Sequence, residues 1–259
     1  MELLAPTSVA TLVLLVFRVG GVVLGAPVFS ARMLSVMLKT SIVVVLSWLL
    51  HPMALGAVGG EVRLTTGHVL TEMLIGLAMG LGAAVLIGAA EAMGDLLAVH
   101  IGLSGASSLD PLTNISVPVL GQFANLFAVT LMLSVDGHLV MLGALAKSLQ
   151  MIPVGSDPNL AAGASAMVAM GSSLFVIGLR FAAPVLATVL LANVALAILT
   201  RAAPQLNILS IAFPIQIAVG LFAFAATIPA IGSFYLGWNG VYNDLIGHVM
   251  AAFMGGGGR

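Results

Sequence analysis

The sequence predicts an all-α, polytopic membrane protein of long helices and helical hairpins, and three observations carry that prediction. Of the 259 residues, 61% are hydrophobic and only 7% charged, against roughly 25% charged in a soluble domain. Mean hydropathy is +1.21. The apolar residues also come in long uncharged runs, at 3–17, 40–60, 73–90, 111–135, 158–179, 181–200 and 202–243, and a helix of about 20 such residues crosses a hydrocarbon core about 30 Å thick.

In chain order, the opening MELLAPTSVATLVLLVFR carries an acid where a signal peptide has its basic region, so it reads as a first membrane segment. The run 40–60 is a second. Residues 67–100 contain no proline and read as one helix about 50 Å long. Residues 159–200 read as another of about 60 Å, kinked at Pro184. Both exceed the bilayer core, so either they tilt and break or much of their apolar surface faces other protein subunits. Pro184, Pro214 and Pro229 interrupt long apolar stretches, and broken helices of that kind bound the binding sites of solute transporters. No inverted repeat accompanies them, although the front and back of the chain could each form a unit. The terminal GGGGR reads as a flexible end at 255–259.

Charge placement favours the subunit reading. Glu91 and Asp95 lie four apart on one helix face, Asp136 interrupts LMLSVDGHLVML, Arg180 splits VIGLRFAAP, and Asp244 closes the longest uncharged run. An ionisable group at such depth costs several kcal/mol unless it is paired or faces water. One such charge is explained by a helix end at the membrane surface; five in one chain are not. Small residues at Gly76, Gly80, Ala84, Gly88 and Ala92 recur every four positions, a stripe that admits close approach of another helix. The cations Arg18, Arg32, Lys39, Arg63, Lys147, Arg180, Arg201 and Arg259 are too dispersed to set an orientation.

Catalytic chemistry finds little purchase. Gly102-Leu103-Ser104-Gly105 spells the G-x-S-G of intramembrane serine proteases, with His138 or His248 as nominal bases, but Asp110-Pro111 soon breaks any helix that Ser104 opens, and a nucleophile needs its base within hydrogen-bond reach. The histidines at 51, 68, 100, 138 and 248 include no HExxH and no pair four apart, so a metal site would have to assemble from distant segments. Each is expected to cap a helix or lie at an interface. No P-loop or dinucleotide fingerprint is present, and a net charge of -1 without a basic run argues against nucleic acid. With no cysteine there is neither a disulfide framework nor a thiolate metal site. The expectation is no enzyme, no cofactor and no metal.

The stretch HIGLSGASSLDPLTNISVPVLG, from His100 to Gly121, departs from the apolar pattern. Gly102 and Gly105 give backbone freedom, Ser104, Ser107, Ser108, Thr113, Asn114 and Ser116 tolerate water, and Asp110-Pro111 forms a stiff turn.

Several stretches together resemble the FliR family of flagellar biosynthetic membrane proteins of the type III export apparatus. The most specific is PVLATVLLANVALAILTRAAPQLNILSIAFPIQIAVGL, with Pro184, Asn193, Arg201, Pro204, Gln205, Leu206, Asn207, Phe213, Pro214 and Gly220 at the family's spacing. Arg18, Pro27 and Lys39, then Glu72 with Gly76, then Gly94, Gly102, Asp110 and Pro111, and finally Asp136-Gly137-His138, where the family often has Asn-Gly-His, follow in its order. Ser35 stands where a proline is common, which makes the link between the first two helices less rigid. Gln216 stands where a basic residue is often seen, which leaves that residue's partner open.

The resemblance implies a subunit built of a FliP-like and a FliQ-like half, joined with several copies of FliP and FliQ in a helical export gate in the bacterial inner membrane, at the flagellar basal body. FlhB and FlhA are then the neighbouring export components, exported flagellar proteins the substrates, and the proton-motive force with cytoplasmic components the energy source. Intramembrane charges would pair across subunits or face the channel. The central loop 102–118, with Gly102, Ser104, Gly105, Ser107, Ser108, Asp110 and Pro111, would plug the channel. Arg18, Lys39, Glu72, Gly76, Gly80, Glu91, Asp95, Asp136, His138, Arg180, Arg201, Gln205 and Asn207 would serve subunit packing or buried charge. The alternatives are an injectisome-type gate subunit and a small-solute transporter; the PQLN and D-G-H stretches favour the flagellar branch.

Overall fold

A computed structural model describes residues 6–30, 34–103, 119–202 and 208–255. Every regular element among them is helical: α1 (Pro6–Gly25), α2 (Pro27–Ser30), α3 (Val36–Ala57), α4 (Thr66–His100), α5 (Val119–Ser134), α6 (Gly137–Met151), α7 (Leu160–Ala202), α8 (Ile208–Leu236) and α9 (Trp238–Phe253). Among the described residues, five helical stretches are long and apolar enough to cross a membrane: α1, α3, α4, α7 and Ala212–Leu236 of α8. The protein is an all-α polytopic membrane protein.

Local chemistry sets the helix ends. Pro6 and Pro27 open α1 and α2, where a fixed φ and a missing N–H cost nothing. The Ser35 side chain accepts from Leu38 N at 3.3 Å and caps α3. This serine, at the position where a proline is common in the resembling family, satisfies one of the helix's orphan donors. Thr65 Oγ1 accepts from His68 N at 3.2 Å before α4, and Asn159 Oδ1 from Ala162 N at 3.0 Å before α7. At the far end of α4, Leu103 N donates to Ala98 O and Gly102 N to Val99 O. Gly102 takes φ +85°, the left-handed stop that closes a helix with that pair of bonds.

The prolines do not break the helices. Pro184 lies inside α7, as the reading of 159–200 as one helix has it, and Pro214 and Pro229 lie inside α8, so the expectation that prolines interrupt these apolar segments is corrected at Pro214 and Pro229. An interior proline forfeits one backbone hydrogen bond, and in a long apolar helix the remaining ladder holds the chain helical because no water competes for it. Asp136, by contrast, does mark a break. It separates α5 from α6 with φ 56° and ψ 28° and makes no side-chain cap, a conformation that Asp and Asn tolerate better than other side chains.

The chain divides into two compact units, each assembled from separate stretches rather than from the front or the back. The first comprises Met1–Leu86, Leu133–Ser172 and Trp238–Arg259, the second Ile87–Met132 and Ser173–Gly237. In the first, α1 packs on α3 and α6 on both α3 and α9, around Leu14, Leu15, Val19, Ile75, Met79, Tyr242 and Phe253. His51 Nε2 lies 3.0 Å from Ser8 O and ties α3 to α1. Tyr242 donates its hydroxyl to Met79 O at 3.0 Å, joining α9 to α4.

Glycine sets how closely α1 and α4 approach. A Cβ on Gly21 would sit 2.5 Å from Met73 O, and one on Gly80 would sit 2.7 Å from Val22 O. Gly76 lies directly against the backbone of Arg18, and Gly25 against Gly80. The first rungs of the small-residue stripe are therefore an internal helix crossing, made backbone to backbone.

In the second unit, the stripe continues against other helices. A Cβ on Gly88 would meet Leu174 Cδ1 of α7 at 3.2 Å, and one on Gly178 of α7 would meet Ala89 O at 3.0 Å and Ala92 Cβ at 3.8 Å; beyond the stripe, one on Gly94 would meet Leu120 O of α5 at 2.5 Å. Phe123 packs edge-on against Phe224 at 6.2 Å, and Phe181 against Phe234 at 5.1 Å.

Candidate functional site

The strongest polar constellation lies inside the first unit, where its side chains are shut away from solvent. Arg18 on α1 and Glu72 on α4 form an ion pair at 2.5 Å, with their side chains 0% and 1% exposed. Arg18 Nη1 also donates to Ile152 O at 2.9 Å and to Ser148 O at 3.3 Å. The other Glu72 oxygen, Oε1, accepts from Gly155 N at 2.9 Å. Gly155 takes φ +78°, which turns its N–H inward. Arg18 Nη2 is buried without a hydrogen-bond partner among the described residues.

This arrangement fastens α1, α4, the end of α6 and the turn 152–155 at one point. A carboxylate that accepts from a guanidinium and a backbone N–H has both oxygens used, so the pair is held by geometry as well as by charge. Its chemistry is structural: a fixed cation and a fixed anion with no open face for a substrate.

A second constellation lies in the second unit. Glu91 accepts from Asn125 Nδ2 at 2.7 Å. One turn on, Asp95 packs its carboxylate directly against the Cα of Gly121, and Asp95 Oδ1 is buried without a hydrogen-bond partner among the described residues. Any side chain at position 121 would collide with that carboxylate.

The remaining sequence-selected residues are scattered. Lys39 is half-buried near the start of α3, Asp136 is exposed at the α5–α6 break, and Arg180 and Arg201 are exposed on α7. His138, in the first turn of α6, keeps Nδ1 buried without a hydrogen-bond partner among the described residues. Gly102 closes α4. Ser104, Gly105, Ser107, Ser108, Asp110 and Pro111 of the central loop, Gln205 and Asn207, and the tail beyond Gly255 lie outside the described residues. So does the serine of the protease-like G-x-S-G.

The histidines scatter likewise. His68 stands at the start of α4, 3.3 Å from Asp157 Oδ1, while His100 ends α4 with Nδ1 at 2.8 Å from Leu96 O. His51 is buried inside α3, and His248 lies within α9, with Nδ1 2.6 Å from Asp244 O. Among the described residues, no three His, Cys, Asp or Glu side chains gather as a metal site would need.

Gln216 answers a question the sequence left open. Its Nε2 donates to His100 O at 2.5 Å, at the carboxyl end of α4 where helix carbonyls lack partners.

Sequence reasoning selected Arg18 and Glu72 but did not join them, and it missed Ser148, Gly155, Asn125 and Gly121. The only local signal was Gly21 with Gly25 in FRVGGVVLG, a small-residue pair four apart that matches the α4 stripe.

Positions 9–238 match the bacterial export proteins, family 1. The flagellar biosynthetic protein FliR of Pectobacterium carotovorum is 30% identical over 223 residues, covering 84% of each chain. That of Escherichia coli K12 is 34% identical over 163 residues, 63% of this chain and 62% of the relative. That of Bacillus subtilis 168 is 36% identical over 151 residues, 57% and 58% of the two chains. The match runs from the first membrane helix to the start of α9 and takes in both polar constellations, and the chain belongs to the bacterial export proteins of family 1, the family of the flagellar FliR proteins.

Proposed function

We propose that this chain is a non-enzymatic subunit of the flagellar type III export gate in the bacterial inner membrane. With several FliP-like and FliQ-like subunits, it forms the channel through which unfolded flagellar proteins leave the cell. FlhB-like and FlhA-like components are its further neighbours at the basal body, and the driving force comes from outside the chain. The residues 102–118 between α4 and α5 serve as the plug that keeps the channel closed at rest.

The observation that carries this reading is α7. At 43 residues and 1.5 Å per residue it is about 65 Å long, twice a hydrocarbon core. It leaves Val168, Phe175, Val176, Leu190, Leu191, Val194 and Ile198 exposed along its length. No single bilayer covers so much apolar helix, whereas neighbouring helical subunits do. Exposed Val44, Val45, Trp48 and Leu49 on α3 add a further face of the same kind.

The test is the native mass of the tagged chain in mild detergent, purified alone and after co-expression with FliP-like and FliQ-like partners from the same source. One copy inside a discrete multi-subunit particle is the expected result. A monodisperse monomer or homodimer indifferent to those partners sinks the reading.

A further inference from the structure

Arg180 sits midway along α7, exposed, and among the described residues no carboxylate pairs with it. Uncharged runs flank it on both sides, residues 158–179 and 181–200, each about 30 Å of helix. Its orientation is fixed by its neighbours. Gly178 faces Ala89 on α4, and two residues further on, at about 100° per residue, Arg180 points to the other side of the helix. There it borders a cavity of about 400 Å³ lined by Ile177, Phe181, Ala230, Ser233 and Phe234, whose wall is the edge-to-face pair Phe181 and Phe234.

Lipid alone cannot satisfy this cation. With Arg180 at mid-bilayer, a guanidinium stands in hydrocarbon without a counter-ion. With Arg180 at the headgroups, one of the two flanking apolar stretches, each about 30 Å, stands in water. Either placement needs protein over the exposed face, and the charge states what that protein must bring.

On the reading that the chain works inside a multi-subunit gate, we propose that this cavity is a docking site for an apolar helix of a neighbouring subunit, which places an Asp or Glu carboxylate on Arg180. The aromatic pair and Ile177 supply the apolar wall. Arg180 supplies the selectivity, because a partner helix without a carboxylate leaves a desolvated cation unpaired.

The test uses the assembled particle. The wild-type chain and Arg180→Gln, Arg180→Glu and Arg180→Lys are each co-expressed with FliP-like and FliQ-like partners, and subunit composition is read by native mass spectrometry. A photo-cross-linking amino acid at Ser233 independently identifies what fills the cavity. Arg180→Gln and Arg180→Glu are expected to lose one neighbour, with its retention weakened on the order of 30-fold or more, while Arg180→Lys keeps most of it. The Ser233 probe should capture an apolar segment containing Asp or Glu, and exchanging that carboxylate for Lys should restore the Arg180→Glu particle. A wild-type particle whose composition Arg180→Glu leaves unchanged, or Ser233 cross-links only to lipid or to a segment without a carboxylate, overturns the docking proposal while leaving the export reading intact. A wild-type chain that joins no particle overturns the export reading itself.

Discussion

Arg18 and Glu72, 54 residues apart in sequence, meet at 2.5 Å with neither side chain open to solvent. Removing one leaves the other charged and unpaired, at a cost of about 3–5 kcal/mol. Arg18→Met and Glu72→Leu are each expected to lower the denaturation midpoint in detergent by that scale. The double variant should cost less than the sum of the two, because it removes both charges at once. A double-mutant cycle measures the difference, and additive losses would show that the pair does not act as a unit.

The α1–α4 crossing should be intolerant of even one carbon. At Gly80 a Cβ would press on Val22 O at 2.7 Å and Ala26 N at 2.8 Å, so Gly80→Ala should destabilise by about 1–3 kcal/mol through forced backbone shifts. Gly143, inside α6, has nothing within 4 Å of its would-be Cβ. Gly143→Ala should leave stability unchanged or raise it by about 0.5–1 kcal/mol. Thermal melts of both variants in one detergent compare position with composition.

Tyr242 makes stability sensitive to alkali. Burial pushes its phenol above the ordinary range near 10 by penalising the anion. The folded state therefore holds the proton more tightly than the unfolded one, and the hydroxyl's contribution is complete below the unfolded pKa. It is lost as pH climbs from there toward the folded value. Tyr242→Phe should cost about 1 kcal/mol at neutral pH through the lost bond to Met79 O. It should also flatten the fall in stability above pH of about 10, as followed by unfolding between pH 7 and 11.

Gln216 should be exchangeable for a cation but not for a hydrocarbon. Lysine at that position keeps a donor for His100 O and places positive charge at the carboxyl end of α4, which the helix dipole favours. Gln216→Lys should match wild type, and Gln216→Leu should lose about 1 kcal/mol. Hydrogen exchange at the last turn of α4 reports the difference, and equal protection in both variants would show that the bond to His100 contributes nothing.

Deleting Gly105 to Asp110 should leave particle assembly intact and make the channel leak ions. Conductance of the reconstituted particle measures the leak. A tight channel after the deletion would remove the plug role from this loop.

The fold was legible to the degree that it depends on apolar run length and proline-free stretches. The continuous helix across 67–100 follows from its composition, and α7 runs unbroken through Arg180 as its sequence suggested. Pro214 and Pro229 misled because a breaker in water is only a local defect in a helix whose other backbone bonds face no competition from solvent. The polar constellation was half legible. Arg18 and Glu72 were selected through the family resemblance and not as a pair, and their partners Ser148 O, Ile152 O and Gly155 N are backbone groups more than 80 residues away from one or the other, and backbone groups carry no sequence signature. Gly121 could be recognised only with Asp95 against it.

The buried Arg18 network also imposes an order on synthesis. Glu72 is made 54 residues after Arg18, and Ile152 134 residues after it. At about 5–20 residues per second, the guanidinium waits seconds for its anion and longer for its carbonyls. During that interval α1 carries a cation without its anion, and the network closes only once Gly155, whose N–H donates to Glu72 Oε1, has been made.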